Sequence, residues 1–329
     1  MNYQKISEKV IQGQELSREE CYSVLRAPQD RLLQLLEAAF RVRETYFGRK
    51  VRLHFLINVK SGLCPEDCAY CSQSSVSQAT IEKYPLLDDE DILNGAHEAK
   101  SAKAMRYCMV GSGRSPSKKE LDKLCRVVKR IKEEVGIGIC VSMGFLTDAF
   151  ARALKDAGVD RYNHNLNATE RFYSQICTSH SYQDRLRTLW SAKKAGLELC
   201  CGAIFGMGES EDDIVDLAFS LRKVGADSIP INFFHPIPGT PLDGMNYLTP
   251  LKCLTILCLL RFLNPDREIR AAAGREFHLR SLQPLILYPS NSIFVSGYLT
   301  TSGQKPEDAW QMVEDMGFEV EQEVVGKMA

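Results

Sequence analysis

From about residue 53 the sequence alternates short apolar, β-branched runs with longer amphipathic stretches, the pattern of parallel strands joined by crossover helices. The runs fall at 53–59, 105–111, 137–143, 159–166, 197–205, 228–234, 268–274 and 291–297. Helical periodicity fills the intervals near 90–104, 117–135, 147–157, 183–195, 211–224, 250–264, 276–287 and 305–317. Eight strand–helix units predict an α/β fold, a TIM-type (β/α)8 barrel, whose chemistry sits at the C-terminal ends of the strands. An open doubly wound sheet is the alternative, but no G-x-G-x-x-G follows the first run. Gly111-Ser112-Gly113-Arg114 and Gly202-Ala203-Ile204-Phe205-Gly206 are each weak signals for a nucleotide loop.

Ahead of the barrel, residues 1–48 are predicted to be a helical extension. Ser17 and Glu20 have capping-box spacing, and Leu32, Leu33, Leu36, Phe40 and Val42 trace an apolar stripe. The barrel is expected over 49–317, with a short, acidic and loosely held tail at 318–329.

Directly after the first strand comes Cys64-Pro65-Glu66-Asp67-Cys68-Ala69-Tyr70-Cys71, three thiols in eight residues. A loop this tight can turn all three sulfurs onto one small object, and thiolates are the soft ligands that iron-sulfur clusters and zinc select. A closed zinc site or an ordinary cubane needs a fourth protein donor, so three ligands would leave one iron open to a substrate. A zinc-binding interaction protein is the competing reading, and finding zinc without acid-labile sulfide would favour it.

The twelve cysteines sit in a chain of 329 residues whose start, MNYQKISEKVIQGQELSREE, has no apolar signal-peptide core. A reducing, cytoplasmic setting is expected. The formal net charge is -1 with no outstanding Lys/Arg block, which argues against nucleic acid as a partner. The longest apolar run, 254–263, is too short to span a bilayer and contains Arg261, so it reads as a core helix and no membrane association is expected.

More cysteines fall inside predicted strands: Cys108, Cys140, and Cys200 beside Cys201. Adjacent strand residues point opposite ways, so only one of the last two can face the interior. If Gly202, Ile204 and Gly206 face the interior, where small residues would leave room for a cofactor, Cys200 shares their face. Arg270 is a costly residue inside a barrel strand unless it meets a ligand or an anion. Asn163, Asn165 and Asn167 alternate and would share one face of a regular strand, each offering a donor and an acceptor without net charge. His164 is expected on the opposite face as a satisfied structural histidine. Cys21, Cys125, Cys177, Cys253 and Cys258 are read as structural, and Met143 and Met207 as packing residues.

The cysteine loop, with aromatic Tyr70 before its third thiol, resembles the radical S-adenosylmethionine (SAM) signature. Over about 53–301 the chain also resembles the biotin synthase family, in Cys64-Pro-Glu-Asp-Cys68-Ala-Tyr-Cys71-Ser-Gln-Ser-Ser75, Ala104-Met-Arg-Tyr-Cys108-Met, Tyr162-Asn-His-Asn-Leu-Asn167, Pro230-Ile-Asn232 and Ala273-Gly-Arg-Glu276. The resemblance implies a sulfurtransferase that converts dethiobiotin to biotin through a 5'-deoxyadenosyl radical and sulfide from an auxiliary cluster. It implies a 4Fe-4S cluster on Cys64, Cys68 and Cys71, and a 2Fe-2S cluster on Cys108, Cys140, Cys200 and, unusually, Arg270. Arginine is a poor metal ligand, so that last assignment rests on the resemblance alone.

By the same resemblance, Tyr70, Gly111, Ser112, Asn165, Asn167, Ile204 and Gly206 meet SAM. Asn163 and Asn232 contact the substrate urea, and Asn165 lies between substrate and SAM. Position 167 is often aspartate in the family, and the amide here forgoes a charge-assisted bond to the SAM ribose. Arg106, two residues before Cys108, is expected to face the same way and offset cluster charge. Cys201 leaves the auxiliary cluster's type and sulfur source open, a larger cluster included. A flavodoxin or ferredoxin-type electron donor and a homodimer are the partners implied.

Overall fold

The structure, a computed structural model, describes residues 2–322. Nine strands form the barrel wall: β1 (Lys50–Lys60), β2 (Arg106–Gly111), β3 (Gly138–Ser142), β4 (Arg161–Asn163), β5 (Glu198–Cys200), β6 (Ala203–Phe205), β7 (Ser228–Phe233), β8 (Glu268–Ala271) and β9 (Ser292–Val295). Each pairs in parallel with its neighbour, β9 returns to β1, and β5 and β6 both lie against β7 as two pieces of one staggered strand. The wall is therefore the closed eight-stranded barrel expected from the alternation, with its fifth strand broken.

The break has a local cause. A Cβ on Gly202 would lie 1.8 Å from the Pro230 carbonyl oxygen, so only glycine lets the chain pass this close to β7. Across the gap, Gly202 N donates to the side chain of Asn165 at 3.0 Å in place of a ladder partner.

Helices α1 (Tyr3–Ile11), α2 (Arg18–Leu25) and α3 (Leu32–Phe47) precede the barrel. The crossovers carry α4 (Asp89–Ser101), α5 (Lys118–Glu134), α6 (Asp148–Asp156), α7 (Glu170–Tyr173), α8 (Tyr182–Lys194), α9 (Glu211–Val224), α10 (Pro250–Leu263), α11 (Arg275–Leu279) and α12 (Pro306–Asp315). Reciprocal capping boxes start four of them, at Ser17/Glu20, Ser117/Glu120, Ser181/Asp184 and Ser210/Asp213, so their start points are written locally. The stretch predicted as one helix at 276–287 is instead α11 followed by a 3-10 segment containing Pro284.

α10 is buried from Cys253 to Leu263 because the N-terminal helices cover it: it packs against α3, α2 and α1 as well as α9. Arg261 is fully buried there and donates to the carbonyls of Pro289 (2.8 Å) and Arg267 (2.9 Å) and to Asn291 Oδ1 (2.7 Å). No helix among the described residues is long and apolar enough to cross a membrane. The tail differs from expectation. β10 (Glu319–Val320) pairs with Lys50 and Val51 of β1, while 323–329 lie outside the described residues.

Candidate active site

A cavity of about 390 Å³ is walled by the strand interiors, the cysteine loop and the loop after β9. Every residue assigned from the sequence to a cluster, to SAM or to the substrate lines it except Gly206, whose N–H instead donates to Glu209 Oε1 at 2.7 Å. Gly206 has φ +101° and a Cβ there would press into Leu248, so glycine is required by the backbone.

The cysteine loop is held by a distant segment. Asp67 accepts from the backbone N–H groups of Thr178 (3.0 Å) and Ser179 (2.9 Å), and Ala69 N donates to the Ile176 carbonyl at 2.8 Å. Glu66 takes Ser179 Oγ at 2.6 Å, His180 Nδ1 at 2.5 Å and Arg114 at 2.9 Å. Burial opposes ionisation of Glu66 and Asp67, yet these donors hold both carboxyls below their usual range. At the loop's start Ser112 Oγ donates to the Gly62 carbonyl at 2.6 Å, so this hydroxyl secures the loop as well as facing the cavity.

The clamp also includes Cys177, read from the sequence as a structural cysteine. Its sulfur lies 3.8 Å from Cys68 Sγ and 3.1 Å from Asp67 Oδ1, and Cys68, Cys177 and His180 form one tight donor group. Cys177 is the first cause of a lowered Cys68 thiol, whereas burial pushes Cys71 up to about 11. No spacing rule could have found Cys177, because a crossover far along the chain delivers it.

The second set of thiols lies deeper. Cys108 and Cys140 are register partners on β2 and β3, and Cys200 sits opposite Asn163 on β5. Cys200 lines the cavity while its neighbour Cys201 is buried off the wall. Beside these thiols Arg270 Nη1 lies 3.8 Å from Cys200 Sγ, and Arg161 pairs with Glu268 at 3.3 Å. Cys140 is the leading influence lowering Cys108, which in turn pushes Cys140 up.

Arg106 does not take the role expected of it. It is off the cavity wall and paired with Glu198 at 2.9 Å, so Arg270 and Arg161 are the cations that act on the thiols. Arg161, Glu268 and His54 were not singled out from the sequence, since strand periodicity does not reveal buried charge. Burial pushes His54 down to about 3, which leaves its ring neutral.

The asparagine run also departs from expectation. β4 ends at Asn163, so alternation in a regular strand does not align the three residues. Asn167 reaches the cavity through a left-handed turn at φ +67°, a conformation asparagine tolerates. Asn163 Nδ2 donates to Asn165 Oδ1 (3.1 Å) and lies 3.2 Å from Cys200 Sγ, while Asn167 Nδ2 donates to the Tyr70 hydroxyl. Asn232 bridges Ala203 O at 3.1 Å and Ala273 N at 3.3 Å. His164 is not satisfied: it lines the cavity, and its buried Nε2 has no partner among the described residues.

The donor sets suit iron-sulfur clusters. Each offers three thiols, none engaged in a disulfide, and the deeper set lies beside two buried guanidiniums that offset thiolate charge.

Residues 58–221 match the Radical SAM superfamily and 230–319 the Biotin and Thiamin Synthesis associated domain. The chain is 52% identical over 320 residues to a protein of Geobacillus kaustophilus named biotin synthase, covering 97% of this chain and 96% of that one. It is 50% identical over 319 residues to the Bacillus subtilis protein of the same name, covering 97% and 95%. Among solved structures, methylornithine synthase (PylB) superposes with a TM-score of 0.85 at 22% identity, covering 96% of this chain and 97% of that one. The FeFe-hydrogenase maturase HydG from Carboxydothermus hydrogenoformans reaches 0.79 at 20%, covering 96% and 78%. At such identities these two structures speak for the fold alone.

Proposed function

The chain belongs to the biotin synthase family, and from that premise we propose which of its residues serve the family's reaction. It is a radical SAM sulfurtransferase that converts dethiobiotin to biotin, with SAM, a 4Fe-4S cluster and an auxiliary 2Fe-2S cluster as cofactors. When bound, SAM and the reduced 4Fe-4S cluster supply the 5'-deoxyadenosyl radical, and the auxiliary cluster supplies sulfide.

In our reading Cys64, Cys68 and Cys71 hold the first cluster, and Cys108, Cys140, Cys200 and Arg270 the second. Tyr70, Gly111, Ser112, Asn165, Asn167, Ile204 and Gly206 shape the SAM site, and Asn163, Asn165 and Asn232 the substrate site. The observation that carries this reading is the asparagine run. Asn163 meets the deep thiols at Cys200 and Asn167 meets the cluster loop at Tyr70, so the carboxamides span the gap between the two thiol sets. A neutral cyclic urea demands donors and acceptors together, which carboxamides provide. In this reading the barrel wall holds the reacting groups close, which a primary radical requires if it is to attack one carbon only.

The same reading takes 1–48 as a helical extension, 49–317 as the barrel and 318–329 as a tail. It assigns a flavodoxin or ferredoxin-type reductant, a homodimer and a cytoplasmic location. The test is anaerobic reconstitution followed by mass spectrometry after adding reductant, SAM and dethiobiotin. Biotin with 5'-deoxyadenosine is the expected result, and loss of both on Cys68→Ala checks the loop assignment. Deoxyadenosine without biotin, with both clusters confirmed spectroscopically, would refute the substrate.

A further inference from the structure

Arg270 is held in an uncommonly specific way. Its Nε donates to Ser292 Oγ at 3.1 Å, and its Nη2 meets Ser228 Oγ at 2.9 Å, His54 Nε2 at 3.0 Å and the carboxylate of Glu268. Nη1 faces only Cys200 Sγ among the described residues. Two of the three nitrogens are thus fixed from behind, and the third alone is turned toward the deep thiols.

Glu268 is the centre of that hold. It is 2% exposed, its Oε1 accepts from Ser228 Oγ at 2.8 Å and lies 3.0 Å from His54 Nε2, and its Oε2 lies 3.3 Å from Arg161 and 3.5 Å from Arg52. One buried carboxylate therefore stands among three guanidiniums. An arginine side chain carries a large rotamer entropy, and a flexible guanidinium would present any of its nitrogens. Without an anion behind it, Arg270 would also be repelled by Arg161 and drawn out of register.

We propose that Glu268 is a positioning residue for the auxiliary cluster, fixing Arg270 so that Nη1 alone is offered to it and supplying the negative charge that balances the cations beneath it. This rests on the reading that Cys108, Cys140, Cys200 and Arg270 hold that cluster. Two consequences differ in kind. Geometry governs how long the cluster is retained, and charge governs how readily it takes up an electron, because removing a nearby anion favours the more negative, reduced state.

The experiment compares the reconstituted holoprotein with Glu268→Gln and Glu268→Asp, reading the auxiliary cluster's reduction midpoint and its loss to an iron chelator, with 4Fe-4S content as an internal reference. Glu268→Gln is expected to give a more positive midpoint and roughly tenfold faster loss, the lower end for residues that orient metal ligands. Glu268→Asp keeps the charge but shortens the reach, so it should leave the midpoint near the parent's while hastening loss. It also carries the test if the glutamine variant does not fold. An unchanged midpoint and lifetime in these variants would overturn the proposal, since a merely structural role would lower stability without moving the potential. Cys140→Ala separates the two readings. If it abolishes the auxiliary signal while the Glu268 variants leave that signal untouched, the positioning role alone falls. If it keeps the signal, the ligand assignment falls and the proposal with it.

Discussion

Asp67→Asn tests whether the loop that carries three of the thiols is held from across the barrel. The substitution keeps the shape of the side chain and removes its charge. Asp67 receives the backbone N–H groups of Thr178 and Ser179 at 3.0 and 2.9 Å, and the Thr178 hydroxyl as well. Hydrogen bonds to a charged group are worth about 1.5–3 kcal/mol and neutral ones about 1 kcal/mol, and water near this partly exposed site favours the lower end. Losing roughly 0.7 kcal/mol at each of three bonds lowers the cost of local opening by about 2 kcal/mol. At 1.4 kcal/mol per factor of ten, that is about a 30-fold rise in the open population. Hydrogen exchange on the cluster-free protein at pH 7 reads it directly: peptides covering 62–75 and 174–182 should both exchange about 30-fold faster, while α5 and α10 stay at parental rates. Exchange within about threefold of the parent in both segments would refute the clamp.

Arg261→Met removes a cation that ties buried carbonyls together, and leaving those acceptors unpaired is expected to cost about 2–4 kcal/mol, read as a lower urea midpoint at unchanged slope; a loss below about 1 kcal/mol would count against it. Asp184, hydrogen-bonded by Ser181, is held down to about 2, below an unfolded value near 3.9. Its contribution is therefore complete above about pH 4 and fades as pH falls toward 2, so the urea-midpoint difference between the parent and Asp184→Asn should shrink below about pH 4. Cys177→Ser should retain full 4Fe-4S iron and sulfide per chain after reconstitution, whereas Cys68→Ser should not; a loss in both would make Cys177 a ligand.

Much of the molecule is legible without coordinates. The barrel follows from strand and helix periods, since strands buried on both faces read as apolar runs and crossover helices as amphipathic ones. The loop Cys64–Cys71 is legible because its ligands are neighbours in sequence, and the start of α2 because the Ser17/Glu20 capping box spans only four residues. The asparagine run was legible in composition but not in geometry. Nothing in the residues 159–166 announced that β4 would stop at Asn163, because the stop depends on how β5 breaks beside it at Gly202.

The sequence by itself determined the alternating order of strands and helices and the chemistry of the cysteine loop, which depend on neighbours within a few residues. Tertiary structure alone decided which charges and thiols meet. Glu268 finds Arg161 and His54, Asp67 finds Thr178, Cys68 finds Cys177, and Arg106 turns to Glu198 rather than to the deep thiols. Closing a barrel brings residues from distant strands into one layer, and a buried charge settles on whichever partner lowers its desolvation cost, so such pairings become visible only when the wall is closed.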